Sequence, residues 1–284
     1  MDEYLKKQAR NLIDTALLED VANNDITTEL TIPCAMVGKG PFMVKGSGVL
    51  AGIEIAGMVF TTVDPSLKFT VLTQDGDTLI YGDMVAVVEG NLASILRAER
   101  VALNLLQRLS GIATQTALYV DAVAGYKTDI YDTRKTTPGL RDLEKYAVKM
   151  GGGINHRRDL SDGILIKDNH LAAAAVAGKS LADVVRKAMA GAPPGVAVEV
   201  EVETVEQAKQ ALDTGADILL LDNMSVQKMR AVVNIAKGKA VLEASGGVTL
   251  DTVRAIAETG VDRISVGALT HSVKALDISL EIKV

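Results

Sequence analysis

From about residue 129 onward the chain repeats one pattern, and that repeat restricts the fold more than any other feature. Apolar stretches rich in β-branched residues begin at Ala197 (AVEVEVE), Asp217 (DILLLDN), Ala240 (AVLEAS) and Val261 (VDRISVG), spaced by 20, 23 and 21 residues. Each interval holds one strand, one helix and two turns. Helix punctuation lies between them: Thr204 with Gln207 has the capping-box pattern, Ser225 and Thr249 occupy N-cap positions, and Gly215 and Gly260 fall just past helix ends. Strand candidates at 129–132 and 163–166 extend the series to at least six βα units, which favours a barrel over an open sheet.

The first hundred residues read differently, as short strand-like pieces (42–45, 69–72, 84–88) broken by Gly, Asp and Pro turns, so a separate α+β domain is expected there. From Leu92 to about Ala124 apolar residues recur at helical spacing (Ile95, Leu96, Val101, Leu105, Leu109), with a break expected near Gly111. The segment 273–284 has no evident place in a barrel. At 284 residues the chain can hold one large domain or two ordinary ones.

Composition narrows the function classes. A net charge of −6 with six Tyr, three Phe and no Trp argues against a nucleic-acid binder built on a basic surface and stacking aromatics. Cys34 is the single cysteine, which excludes an intrachain disulfide and fits a reducing, cytoplasmic compartment. The charged start MDEYLKKQAR lacks the apolar core of an export signal, and no apolar run approaches the ~20 residues that cross a bilayer. The charge is uneven, however. Residues 134–158 carry seven basic side chains against Asp142 and Glu144, a local +5. Such an island suits a small, highly charged anion by focusing the field, and equally suits a solvated loop.

Several residues could carry chemistry. In AVEVEVE the glutamates Glu199, Glu201 and Glu203 alternate with Val198, Val200 and Val202, so a strand there has one acidic face. Turned into a barrel, three carboxylates need cations or a metal to answer them; on a water-exposed edge strand they need nothing. Asp222 ends the next strand, where barrel enzymes place their sites, and hard oxygen donors suit Mg2+. Ser245-Gly246-Gly247 and Ser265-Val266-Gly267-Ala268 close the last two strands, the recurrent phosphate position of barrels. Lys167, at the end of an apolar strand, could form a Schiff base or simply bind an anion. His156 and Arg157 follow Gly151-Gly152-Gly153 in a loop, and the three histidines (His156, His170, His271) lack zinc-site spacing.

The segments Glu99-Arg100-Val101-Ala102-Leu103-Asn104, Thr133-Arg134-Lys135-Thr136-Thr137-Pro138-Gly139-Leu140-Arg141, Gly153-Ile154-Asn155-His156-Arg157 and Ile166-Lys167-Asp168-Asn169-His170 resemble the quinolinate phosphoribosyltransferase family. So do EVEVE, LLLDN and SGG in the same order, and Ala16-Leu17-Leu18-Glu19-Asp20 with Asp25-Ile26-Thr27-Thr28 at the start. The resemblance covers nearly the whole chain. It implies an α/β fold: an N-terminal α/β sandwich domain (1–102, joined by 270–284) followed by an incomplete, open α/β barrel (103–269). It also implies a pentosyltransferase reaction, in which quinolinate and phosphoribosyl pyrophosphate give nicotinate mononucleotide, pyrophosphate and CO2, with Mg2+.

Carried over by motif, Arg134, His156, Arg157 and Lys167 correspond to quinolinate ligands, with Thr133 beside them and Lys135 near the pyrophosphate. Glu201 and Asp222 correspond to the residues facing the ribose and Mg2+, and with Lys135 and Lys167 they form the expected catalytic set. Ser245, Gly246, Gly247, Val266, Gly267 and Ala268 correspond to the 5′-phosphate loops. Arg100 is implied to come from the other subunit of a homodimer. No protein nucleophile is needed, because a pyridinium serves as electron sink. Two alternatives stay open: a homologue associated with molybdate uptake, and a non-enzymatic binder of phosphorylated ligands.

Overall fold

Asp2 caps the first helix, its side chain accepting from Leu5 N–H at 2.8 Å, and α1 then runs Glu3–Glu19. The computed structural model describes residues 1–283. After a 3-10 turn come α2 (Ile26–Thr31), β1 (Val37–Val44), β2 (Gly48–Val49), α3 (Ile53–Val63), β3 (Lys68–Val71), β4 (Thr78–Leu79), β5 (Met84–Asn91) and α4 (Leu92–Ala122). Next follow β6 (Asp129–Tyr131), α5 (Arg141–Met150), β7 (Ile164–Ile166), α6 (Asp168–Val176), α7 (Leu181–Gly191), β8 (Val198–Val202) and α8 (Val205–Asp213). The remainder is β9 (Ile218–Asp222), α9 (Val226–Ala236), β10 (Val241–Ser245), α10 (Leu250–Ala257), β11 (Arg263–Ser265), α11 (Ala268–His271) and β12 (Ile278–Leu280). Among the described residues, no helix is long and apolar enough to cross a membrane.

These elements sort into two units. The first takes residues 1–117 and 136–152 and resumes at Leu269. Its four-stranded antiparallel sheet has the order β12-β1-β5-β3, and β2 pairs with β4 beside it. All three phenylalanines meet here: Phe42, Phe60 and Phe69 have ring centroids 5.6 to 5.7 Å apart, a compact apolar centre for a unit without tryptophan. The segment with no place in a barrel therefore has one here, since β12 supplies an edge strand to β1.

The expected break at Gly111 does not occur, because α4 is continuous. A methyl group at Gly111 would collide with the carbonyl oxygen of Lys274, so glycine is there to let another segment approach the helix rather than to end it.

The second unit, 118–135 and 153–268, contains the repeat. Six parallel strands stand in the order β6-β11-β10-β9-β8-β7, and among the described residues β6 and β7 do not pair with each other, so the barrel is incomplete. The caps read from sequence are in place: Thr204 and Gln207 form a capping box, Ser225 accepts from Lys228 N–H, and Thr249 precedes α10. The basic island is divided, with Arg141, Lys145 and Lys149 on α5 of the first unit and Arg134, Lys135, Arg157 and Arg158 in the second.

Candidate active site

Strand parity builds the site. On β8 the valines Val198, Val200 and Val202 are wholly buried, while Glu199 and Glu201 take the opposite face. Leu220 with Asp222 on β9, Glu243 with Ser245 on β10, and Leu165 with Lys167 at β7 follow the same alternation. Their C-terminal ends surround a pocket of about 390 Å³ that also takes Thr133, Arg134, Lys135, His156, Arg157, Asn223 and Ser265, all within the second unit.

Charge is segregated inside it. Arg134, Lys135, Arg157 and Lys167 bring four cations to one cavity. Burial, then the neighbouring Arg134, pushes the Arg157 guanidinium below its usual range, while Glu199 and Asp162 pull it back up. Burial and then repulsion from Asp222 push Glu201 above the usual carboxylate range, and Lys167 opposes this. Two carboxylates that repel one another across a pocket, both hard oxygen donors, fit a divalent cation such as Mg2+.

Behind them lies a second group. Nε2 of His156 is 3.2 Å from Glu199 Oε2 and 3.3 Å from Glu243 Oε1, and both glutamates are buried. Burial acts to lower the His156 pKa, but the close approach of the Glu199 and Glu243 carboxyls drives it up to about 10. Against that, Nδ1 accepts from the Arg157 N–H at 2.8 Å, which needs a lone pair there. An imidazolium would set donor against donor, so the ring carries its proton on Nε2. Burial holds the Glu199 carboxyl above its usual range, and the bond from His156 opposes this.

The chain matches two family models, the quinolinate phosphoribosyl transferase N-terminal domain over residues 25–110 and the C-terminal domain over 112–281. It is 42% identical over 275 residues to a probable nicotinate-nucleotide pyrophosphorylase [carboxylating] of Bacillus subtilis, covering 97% of this chain and 93% of that one. A mitochondrial quinolinate phosphoribosyltransferase [decarboxylating] 2b of Nicotiana tabacum is 44% identical, covering 96% of this chain and 82% of that one. The crystal structure of NadC from Streptococcus pyogenes superposes with a TM-score of 0.92 at 41% identity, over 97% of this chain and 96% of that one.

The chain belongs to the quinolinate phosphoribosyltransferase family.

Of the residues the family motifs singled out, Thr133, Arg134, Lys135, His156, Arg157, Lys167, Glu201, Asp222, Ser245, Gly246 and Gly247 line the pocket together. Gly246 and Gly247 have φ of +94° and +60°, and a side chain at Gly246 would collide with Asn223, so the SGG loop of this family member requires glycine. At the end of β11 Ser265 is the lining residue, whereas Val266 is buried and Gly267 and Ala268 do not line the cavity. Arg100 is exposed on α4 and likewise outside the lining set. Of the three glutamates of EVEVE, Glu199 is buried, Glu201 stands at the mouth, and Glu203 lies past the strand end in solvent. His170 instead accepts from the Lys167 N–H, closing the first turn of α6.

Glu243 is the residue that sequence reading missed. Its signal was available: it precedes Ser245 by two positions on a strand, so it shares the face that carries Ser245.

Proposed function

We propose that this pocket performs the decarboxylating phosphoribosyl transfer for which the family is named. Quinolinate and phosphoribosyl pyrophosphate are the substrates, and nicotinate mononucleotide, pyrophosphate and CO2 the products. The observation that carries the reading is the convergence of four cations, two mouth carboxylates and a double-glycine loop in one cavity. A dicarboxylate and a pyrophosphate ester need the first, a sugar cation the second, and a 5′-phosphate the third.

Arg134, Arg157 and Lys167 hold the two quinolinate carboxylates and orient the pyridine nitrogen toward C1 of the ribose. The backbone of Ser245, Gly246 and Gly247 holds the 5′-phosphate. As nitrogen attacks, the C1–O bond to pyrophosphate breaks through an oxocarbenium-like state, which Glu201 and Asp222 stabilise, while Lys135 meets the departing charge. Glu201 and Asp222 would also hold Mg2+, which supplies neutralisation of the pyrophosphate charge. In the resulting nucleotide the C2–carboxylate bond breaks, its electron pair held next to the positive ring nitrogen until a proton replaces CO2. Lys167 acts as a cation here, with no Schiff base. An acidic pocket wall favours this over simple binding of a phosphorylated ligand.

Arg100, exposed on α4 and outside the lining of its own pocket, would reach the pocket of a second copy in a homodimer, or a multiple of dimers, with shared sites. Release of CO2 from quinolinate, dependent on phosphoribosyl pyrophosphate and Mg2+, is the expected result, with no pyrophosphate released when nicotinate replaces quinolinate; equal pyrophosphate release with nicotinate would refute the reading. Mixed dimers of Arg100→Ala and Lys167→Ala chains should recover roughly a quarter of wild-type activity by random pairing, although each variant alone is inert.

A further inference from the structure

Arg157 lies on a stretch that joins no helix or strand, apart from an isolated bridge between Ile154 and Tyr131. The guanidinium is itself held at one point, Nη1 donating to Gly163 O at 3.2 Å, and the rest of its aim follows from how the backbone is fastened. Two fasteners tie it to the β6 segment: Ile154 N–H donates to Ile130 O at 2.8 Å, and His156 N–H donates to Asp132 Oδ1 at 2.8 Å. The third is the imidazole of His156. It reaches down to Glu199 and Glu243 with Nε2 and takes the Arg157 N–H on Nδ1, linking the barrel floor to the backbone of the cation.

The three side chains are spaced closely enough to ligate a metal. A metal on Nε2 would move the ring proton to Nδ1 and aim it at the Arg157 N–H, donor against donor. The backbone contact therefore selects a proton on Nε2. Glu199 does not line the substrate pocket but faces a second cavity, so it reaches the substrate through its neighbours: through His156 by a hydrogen bond and through Arg157 by its charge.

We propose that Glu199 is a positioning residue for the dicarboxylate site: by accepting a hydrogen bond from the Nε2–H of His156, with Glu243 beside it, it pegs the Arg157 backbone and aims the guanidinium at a substrate carboxylate. This rests on the reading of the pocket given above. The role is one of specificity for the acid substrate and leaves the phosphoribosyl half of the pocket untouched.

The test compares Glu199→Leu with Glu199→Gln in the full chain. Leucine removes the acceptor, whereas the glutamine carbonyl keeps it. Glu199→Leu should raise KM for quinolinate by about tenfold or more, leave KM for phosphoribosyl pyrophosphate within about twofold, and be largely rescued by glutamine. In protein labelled with 15N-histidine, assigned with His156→Gln, the wild-type ring should show a protonated Nε2 and a bare Nδ1. This readout needs no variant of Glu199 to fold.

A proton on Nδ1, or a chelatable transition metal whose removal shifts the His156 signals, would overturn the proposal. So would an unchanged quinolinate KM in a folded Glu199→Leu protein. Wild-type protein inert toward quinolinate would overturn it together with the reading of the pocket, and that failure is recognisable because it precedes any substitution.

Discussion

Glu144 in the first unit and Glu243 in the second are both fully buried, yet their surroundings differ. Oε1 of Glu144 accepts from Arg108 Nε at 3.0 Å and Nη2 at 2.5 Å, and Oε2 accepts from the Thr137 N–H at 3.1 Å. Arg108 also donates to Thr137 Oγ1 and the Thr270 carbonyl. Neither oxygen of Glu243 receives a hydrogen bond among the described residues, although His156 Nε2 stands 3.3 Å away. A satisfied buried charge holds structure together, and an unsatisfied one is retained at a cost to folding. The first unit uses its buried carboxylate as a rivet. The second keeps one underfilled beside the chemistry.

The largest effects should come from breaking the pocket rather than the rivet. Arg134→Ala should raise the KM for quinolinate by ~10²-fold or more with unfolding unchanged, whereas Asp222→Ala should lower kcat by ~10²–10³ with a smaller change in quinolinate affinity. Steady-state kinetics with each substrate varied would check this, and equal loss of quinolinate affinity in both variants would show that the division of roles is wrong.

The comparison itself is sharpened by removing each glutamate. Glu144→Ala strands Arg108 and should cost about 2–4 kcal/mol in urea unfolding, toward the lower end because Arg108 is partly exposed. Glu243→Leu should leave stability unchanged or raise it by up to about 1 kcal/mol, while activity falls. If Glu243→Leu destabilised as much as Glu144→Ala, the two carboxylates would be alike after all.

A smaller effect lies at Tyr146 in the first unit, whose hydroxyl donates to Asp75 Oδ2 at 2.6 Å. Burial, and then Asp75, push this phenol above its usual range. The unfolded chain gives up the proton near pH 10 while the folded chain keeps it, so the contribution is complete below about pH 10 and fades as pH rises. Stability measured between pH 9 and 11 should fall less steeply in Tyr146→Phe than in wild type, and parallel slopes would remove Tyr146 from the account.

What was legible in the sequence was whatever depends on local period. The βα spacing gave the parallel sheet, Thr204, Ser225 and Thr249 gave helix starts, and parity along AVEVEVE gave the acidic inner face. The motifs supplied most of the pocket wall by resemblance. What escaped were relations between distant residues. Gly111 looked like a breaker because its neighbour, the backbone at Lys274, is far along the chain. The basic island looked continuous because α5 leaves for the other unit between its two halves. The meeting of His156 with Glu199 and Glu243 joins a loop to two separate strands, and no spacing announces it.

The edge strand β12 has a consequence for biosynthesis. Its partner β1 emerges early from the ribosome, but residues 278–280 are translated only after every strand of the second unit. Through that interval the exposed edge of β1 has no native partner, and bare strand edges invite pairing with other nascent chains. The second unit completes its own sheet before that moment. A ribosome that stalls between these points therefore leaves behind a chain whose parallel sheet is complete and whose β1 edge is a sticky, unfinished seam.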